Sequence, residues 1–200
     1  MRSFFVIIAA LFVWSSSPRA HGQPQPDASR QSESRQQETP SVLLPGTYWE
    51  ERAPLQAGDA APNWKLPIAP DSPLAKKGVS EIDFAKWRGE KTTVLVFLAF
   101  WCDTWKDVMR FSGEVRGDLD KGGTKLLAVA VDASQQPVAR PAWQSGKLFF
   151  PVAIDAKSQI TAKYGVRRVP TILIIGPDGK VRAIWEGLPG KKAFLKALRR

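Results

Sequence analysis

The stretch Thr92-Thr93-Val94-Leu95-Val96-Phe97-Leu98-Ala99-Phe100-Trp101-Cys102 decides the fold. Between Val94 and Phe100 no polar side chain interrupts an apolar run rich in β-branched residues, which predicts a central strand buried on both faces. The run ends at Cys102, the single cysteine among 200 residues. Asp103 or Thr104 then offers a helix cap, and Trp105, Val108, Met109 and Leu119 supply the apolar positions of an amphipathic helix, expected to break near Gly113. Thr124 to Val131 reads as another buried strand, closing a βαβ unit with parallel pairing.

Working outward, Gly58 to Leu66 reads as a turn entering a short extended segment, because prolines exclude a helix interior there. A second short segment, Glu81 to Trp87, precedes a turn at Arg88-Gly89-Glu90. Downstream, Pro137 to Gly146 reads as a connection with one helical turn. Phe149 to Asp155 follows as an apolar segment, then a helical stretch over Ser158 to Tyr164 that Gly165 ends. Thr171-Ile172-Leu173-Ile174-Ile175 and Val181-Arg182-Ala183-Ile184-Trp185 flank Gly176-Pro177-Asp178-Gly179-Lys180, the mark of an antiparallel hairpin. Lys191 to Arg200 reads as a basic closing helix.

The start of the chain is different in kind. Phe4 to Trp14 is uninterrupted apolar sequence behind Met1 and Arg2, too short to favour a spanning helix and suited to a secretory signal. Ala20-His21-Gly22 places cleavage after Gly22, giving a signal peptide over 1–22; an uncleaved segment tethering the chain to a membrane is the alternative. Residues 23–55 are expected to form a flexible linker, because Gln, Ser, Pro, Arg and Glu dominate its first half and cannot bury enough surface to offset ordering. A folded domain over 56–200 follows. Five basic and five acidic residues cancel in 1–55, so the whole net charge of +10 falls on that domain. No Lys/Arg run is interleaved with aromatics, and an exported chain is a poor candidate for nucleic acid.

Four landmarks carry a resemblance. Gly58-Asp59-Ala60-Ala61-Pro62-Asn63-Trp64 resembles the opening of TlpA-type and peroxiredoxin-type domains. Val96 to Cys102 resembles their strand into the active site, Tyr164-Gly165-Val166-Arg167-Arg168-Val169-Pro170-Thr171 their cis-proline loop, and Pro177-Asp178-Gly179 their hairpin. Each is weak alone, but four in order over about Gln56 to Arg200 resemble a thioredoxin-like redoxin of the TlpA thiol-disulfide oxidoreductase type. The implied architecture is an α/β thioredoxin fold, a mixed sheet flanked by helices, βαβ then ββα, with an N-terminal extension. The resemblance also implies a cis Pro170 beside the cysteine, with Val169 pairing to an extended substrate.

The family's chemistry uses Cys-x-x-Cys, where this chain has Cys102-Asp103-Thr104-Trp105. With one thiol no intramolecular disulfide can form, so a dithiol cycle within one molecule is impossible. What remains is a thiol expected at a helix N-terminus, where dipole and free amides favour the thiolate, helped by Lys106. Asp103 and the apolar bodies of Trp101 and Trp105 act against it. The resemblance to peroxiredoxin-type domains implies a hydroxyl residue and an earlier proline ahead of a peroxide-reducing cysteine; Leu98 to Trp101 offer neither, so efficient peroxide reduction is not expected. The single histidine, His21, lies in the signal region, which leaves no metal set, no Cys-His hydrolase and no expected cofactor.

The expectation is therefore an exported protein, periplasmic or extracellular, limited to monothiol exchange. Cys102 is the nucleophile, and Trp101, Trp105, Val169 and Pro170 shape the substrate groove. Its partners would be an extended peptide or a thiol- or disulfide-bearing protein, together with a low-molecular-weight thiol. A non-catalytic binding or assembly module using the same groove, and a dimer bridged through Cys102, are the alternatives.

Overall fold

The computed structural model describes residues 41–44, 53–70, 72–131 and 148–199. The expected signal peptide, most of the expected linker and the expected helical turn at Pro137 to Gly146 lie outside them. Nine strands and four α-helices are found among the described residues. In chain order they are β1 (Val42–Leu43), β2 (Lys65–Pro67), β3 (Glu81–Asp83), α1 (Phe84–Arg88), β4 (Thr93–Leu98), α2 (Thr104–Lys121), β5 (Lys125–Val131), β6 (Val152–Asp155), α3 (Gln159–Lys163), β7 (Arg168–Val169), β8 (Thr171–Ile175), β9 (Val181–Glu186) and α4 (Lys191–Leu198).

The main sheet has the order β6-β5-β4-β8-β9. β4 lies at its centre, parallel to β5 and antiparallel to β8, and all six of its residues are buried. Successive side chains of a strand point to opposite faces. Val94, Val96 and Leu98 accordingly join Val108, Val115 and Leu119 of α2 and Phe194 of α4 in one cluster. Leu95, Phe97 and Ala99 join Ile160, Tyr164, Val166 and Val169 in the other. Each large aliphatic or aromatic side chain so buried contributes about 1.5–3 kcal/mol. This is the thioredoxin-like α/β arrangement: parallel β5-β4 enclosing α2, then the antiparallel β8-β9 hairpin and α4.

The short β2-β3 ladder closes the second face. Trp64 stacks on Phe84 at 4.8 Å and donates Nε1–H to the Tyr164 hydroxyl at 3.3 Å. Tyr164 in turn donates to the Pro62 carbonyl at 2.7 Å. Burial pushes the Tyr164 phenol up, against the smaller opposing effects of the Trp64 hydrogen bond and the Arg88 charge.

Two expectations are corrected. The helix after Cys102 does not break near Gly113: α2 runs unbroken from Thr104 to Lys121. Its buried stripe of Val108, Val115 and Leu119 outweighs the roughly 1 kcal/mol that each interior glycine costs. The expected linker also reaches too far, because its described residues fold onto the domain. Val42 and Leu43 pair antiparallel with Val169 and Arg168, Leu44 and Leu55 are buried, and the Leu55 N–H donates to the Tyr164 carbonyl at 3.3 Å. The apolar stretches Val42-Leu43-Leu44 and Pro54-Leu55 supply surface that the polar first half of that segment lacks.

Candidate active site

Cys102 sits where the central strand leaves the sheet and α2 begins, two residues before Thr104. Antiparallel pairing of Phe97 with Thr171 brings the exit of β4 alongside the entry of β8, and so sets Ala99 to Cys102 next to Val169 and Pro170. The Val169–Pro170 peptide bond is cis. Trp101 and Cys102 pack against the cluster that contains Val169.

The thiol is half-buried and free. Its Sγ lies 3.4 Å from the Ala99 carbonyl, to which the S–H donates, and 2.9 Å from Thr104 Oγ1. A thiol can hold the first contact as donor; a thiolate can only accept, and the Thr104 hydroxyl is placed to donate to it. Thr104 is the residue sequence reasoning treated only as a cap. The signal for it was present, a hydroxyl two positions past the cysteine, but only the turn into α2 shows that the hydroxyl faces the sulfur.

The charged neighbours are committed elsewhere. Lys106 pairs with Asp103 at 2.7 Å on the exposed first turn of α2, so the expected helper and the expected opponent of the thiolate hold each other. Asp103 flanks α2 with no side-chain capping bond.

Of the residues expected to share a groove, Trp101 and Cys102 pack against the cluster that holds Val169, which Pro170 follows in the chain, and Trp105 does not join them. Trp105 packs against the other cluster, its ring 5.9 Å from that of Phe100. It stands one helical step beyond Thr104, turned towards the α2 and α4 side of the sheet. Trp101 Nε1 is buried without a hydrogen-bond partner. Among the described residues no group of His, Cys, Asp and Glu is arranged to hold a metal, and no helix is long and apolar enough to cross a membrane.

Comparison with known proteins gives this site its context. The AhpC/TSA family pattern matches residues 57–184, from the opening turn to β9. The thiol-disulfide oxidoreductase ResA of Geobacillus thermodenitrificans is 33% identical over 124 residues, 62% of this chain and 70% of that protein. ResA of Geobacillus kaustophilus is 32% identical over 145 residues, 72% of this chain and 78% of that protein. Among solved structures, one assigned as the thiol:disulfide interchange protein DsbE of Chlorobium tepidum superposes with a TM-score of 0.60 at 25% identity, covering 72% of this chain and 99% of that one. Mycobacterium tuberculosis AhpC shares the fold, with a TM-score of 0.58 at 18% identity over 74% of this chain and 93% of that one. The chain belongs to the AhpC/TSA family, as a TlpA-type redoxin of the thiol-disulfide oxidoreductase group.

Proposed function

We propose that the protein is an exported monothiol exchanger working through Cys102. The thiolate attacks one sulfur of a disulfide carried by an extended peptide or a small molecule. A Cys102–substrate disulfide forms, the original S–S bond breaks, and the leaving sulfur departs as a thiolate. A thiol from outside the chain must resolve that adduct, because the chain holds no second cysteine. Trp101, Val169 and Pro170 shape the groove on the substrate side, and Trp105 fills the place of a resolving cysteine. Export by the N-terminal segment, to the periplasm or outside the cell, would put the thiol where protein disulfides are formed.

The observation that carries this reading is a half-buried cysteine whose Sγ has the Thr104 hydroxyl 2.9 Å away, in a chain whose relatives are thiol-disulfide oxidoreductases. The test is adduct formation with glutathione disulfide on the folded full-length chain, followed by mass, and release of the adduct by reduced glutathione. Cys102→Ser forms none. Thr104→Val removes a charge-assisted hydrogen bond of about 1.5–3 kcal/mol and slows adduct formation at neutral pH by about 10- to 100-fold. A Cys102 that reacts only after unfolding overturns the proposal. Sustained consumption of hydrogen peroxide with a thiol donor would assign the protein to the peroxidases of its family instead.

A further inference from the structure

The strand edge beside the thiol is already occupied. β7 is two residues long, and β1 pairs along it, Val42 opposite Val169 and Leu43 opposite Arg168. The Leu44 N–H donates to the Arg167 carbonyl at 2.9 Å. In an antiparallel ladder bonded and non-bonded pairs alternate, so Val42 and Val169, two positions along, are also of the bonded class. The main-chain groups of Val169 therefore face the chain's own Val42. Side chains alternate as in a docked peptide: Leu44 is 1% exposed and Leu43 is 55% exposed. Val42 packs against the same cluster as Trp101 and Cys102. Arg168 Nη1 clamps the arm by donating to the Ser41 carbonyl at 3.3 Å.

We propose that residues Ser41 to Leu44 are an intramolecular occupant of the peptide-pairing edge. They must leave β7 before an extended disulfide-bearing peptide can pair there. Their pattern, aliphatic at the positions facing Val169 and Arg167 with any residue between, is also the pattern of peptide the edge accepts. This rests on Cys102 being an exchanging thiol. An arm seated most of the time reduces apparent reactivity towards peptides by the fraction of molecules that are open, and leaves a reagent that needs no strand pairing unaffected.

The experiment compares two disulfides on the full-length chain. One is a short extended peptide with aliphatic residues two apart, its cysteine carried as a mixed disulfide with thionitrobenzoate; the other is dithiobis(nitrobenzoate). In both, the Cys102 thiolate forms the new S–S bond and thionitrobenzoate leaves as the coloured thiolate. Val42→Pro removes the donor facing Val169, and Leu44→Asp expels the buried anchor. Each is expected to raise the peptide rate about tenfold while the small-reagent rate stays within about twofold. A synthetic peptide spanning Pro40 to Pro45, added in excess to the Val42→Pro protein, is expected to slow the peptide reaction again; this decides the question should Leu44→Asp fail to fold. Unchanged peptide rates in the folded variants, with the small reagent still reacting, overturn the proposal and leave the exchange reading intact. A folded wild-type chain inert to both reagents overturns the exchange reading itself.

Discussion

Gly165 is the residue on which docking of the N-terminal segment can be tested by stability alone. It has φ +61, and a Cβ there would lie 2.6 Å from the Ala53 carbonyl oxygen and from Pro54 Cα, and 2.8 Å from Pro54 N. These are backbone atoms and cannot rotate aside. Gly165→Ala must therefore move the 53–55 segment or distort α3. The left-handed backbone costs about 1–2 kcal/mol, and lifting Leu55 from its buried site about 1.5–3 more, so the loss is about 3–5 kcal/mol. With a urea slope of about 2 kcal/mol/M the unfolding midpoint falls by about 2 M. Gly165→Asn, which tolerates the left-handed region but keeps the Cβ, should fall nearly as far, separating steric exclusion from backbone strain. Leu55→Ala should cost about 2–5 kcal/mol in the parent and far less in Gly165→Ala, since that background has already lost the contact. A midpoint shift below about 0.5 M, or additive effects of the two substitutions, would refute the reasoning.

Two further outcomes follow from the fold. Gly113 and Gly117 lie inside α2 with open space where a Cβ would stand, so Gly113→Ala and Gly117→Ala should each stabilise by about 1 kcal/mol, read as a higher urea midpoint at unchanged slope. Tyr164 has a phenol raised above its ordinary range by burial, so the unfolded chain ionises it first as pH rises. Its contribution is full below about pH 10 and is lost above that, by about 1.4 kcal/mol per pH unit, until the folded phenol also ionises. Tyr164→Phe should start less stable by about 1–3 kcal/mol, because Trp64 Nε1 and the Pro62 carbonyl lose their partner, and should lack this alkaline slope in a pH series of unfolding curves.

The strands were legible because their signals are local. An apolar run from Val94 to Phe100 cannot sit anywhere but mid-sheet, and Pro177-Asp178-Gly179 closes a hairpin by turn chemistry alone. The position of Cys102 at the end of one element and the start of another could be read in the same way. What could not be read depends on contacts made across the fold. The two glycines of α2 argue locally for a break, and only the burial of Val115 and Leu119 against the sheet overrides them. Asp155, 1% exposed, accepts bonds from the Ile160 and Thr161 amides and the Thr161 hydroxyl, holding the start of α3, yet in sequence it is one more acidic residue. Trp101 and Trp105 look like two walls of one groove in sequence. They part because the turn into α2 sends them to opposite clusters.

The N-terminal arm bears directly on selectivity. A peptide that replaces Val42 on β7 exchanges one set of main-chain hydrogen bonds for another, and such an exchange is close to neutral, since each bond contributes only about 0.5–1.5 kcal/mol net and the released strand bonds to water. Backbone pairing therefore cannot decide which occupant wins. The decision falls to side chains, chiefly whatever replaces Leu44 in its buried site, where removing a leucine side chain costs about 2–5 kcal/mol. A peptide with a charge at that position gains the ladder and loses the anchor, so it does not displace the arm. One with an aliphatic side chain there matches the anchor, and being joined to its target sulfur it presents the disulfide to Cys102 in the same event. Under the exchange proposed for Cys102, the chain has no second thiol of its own to release a wrong adduct, so selection falls before attack.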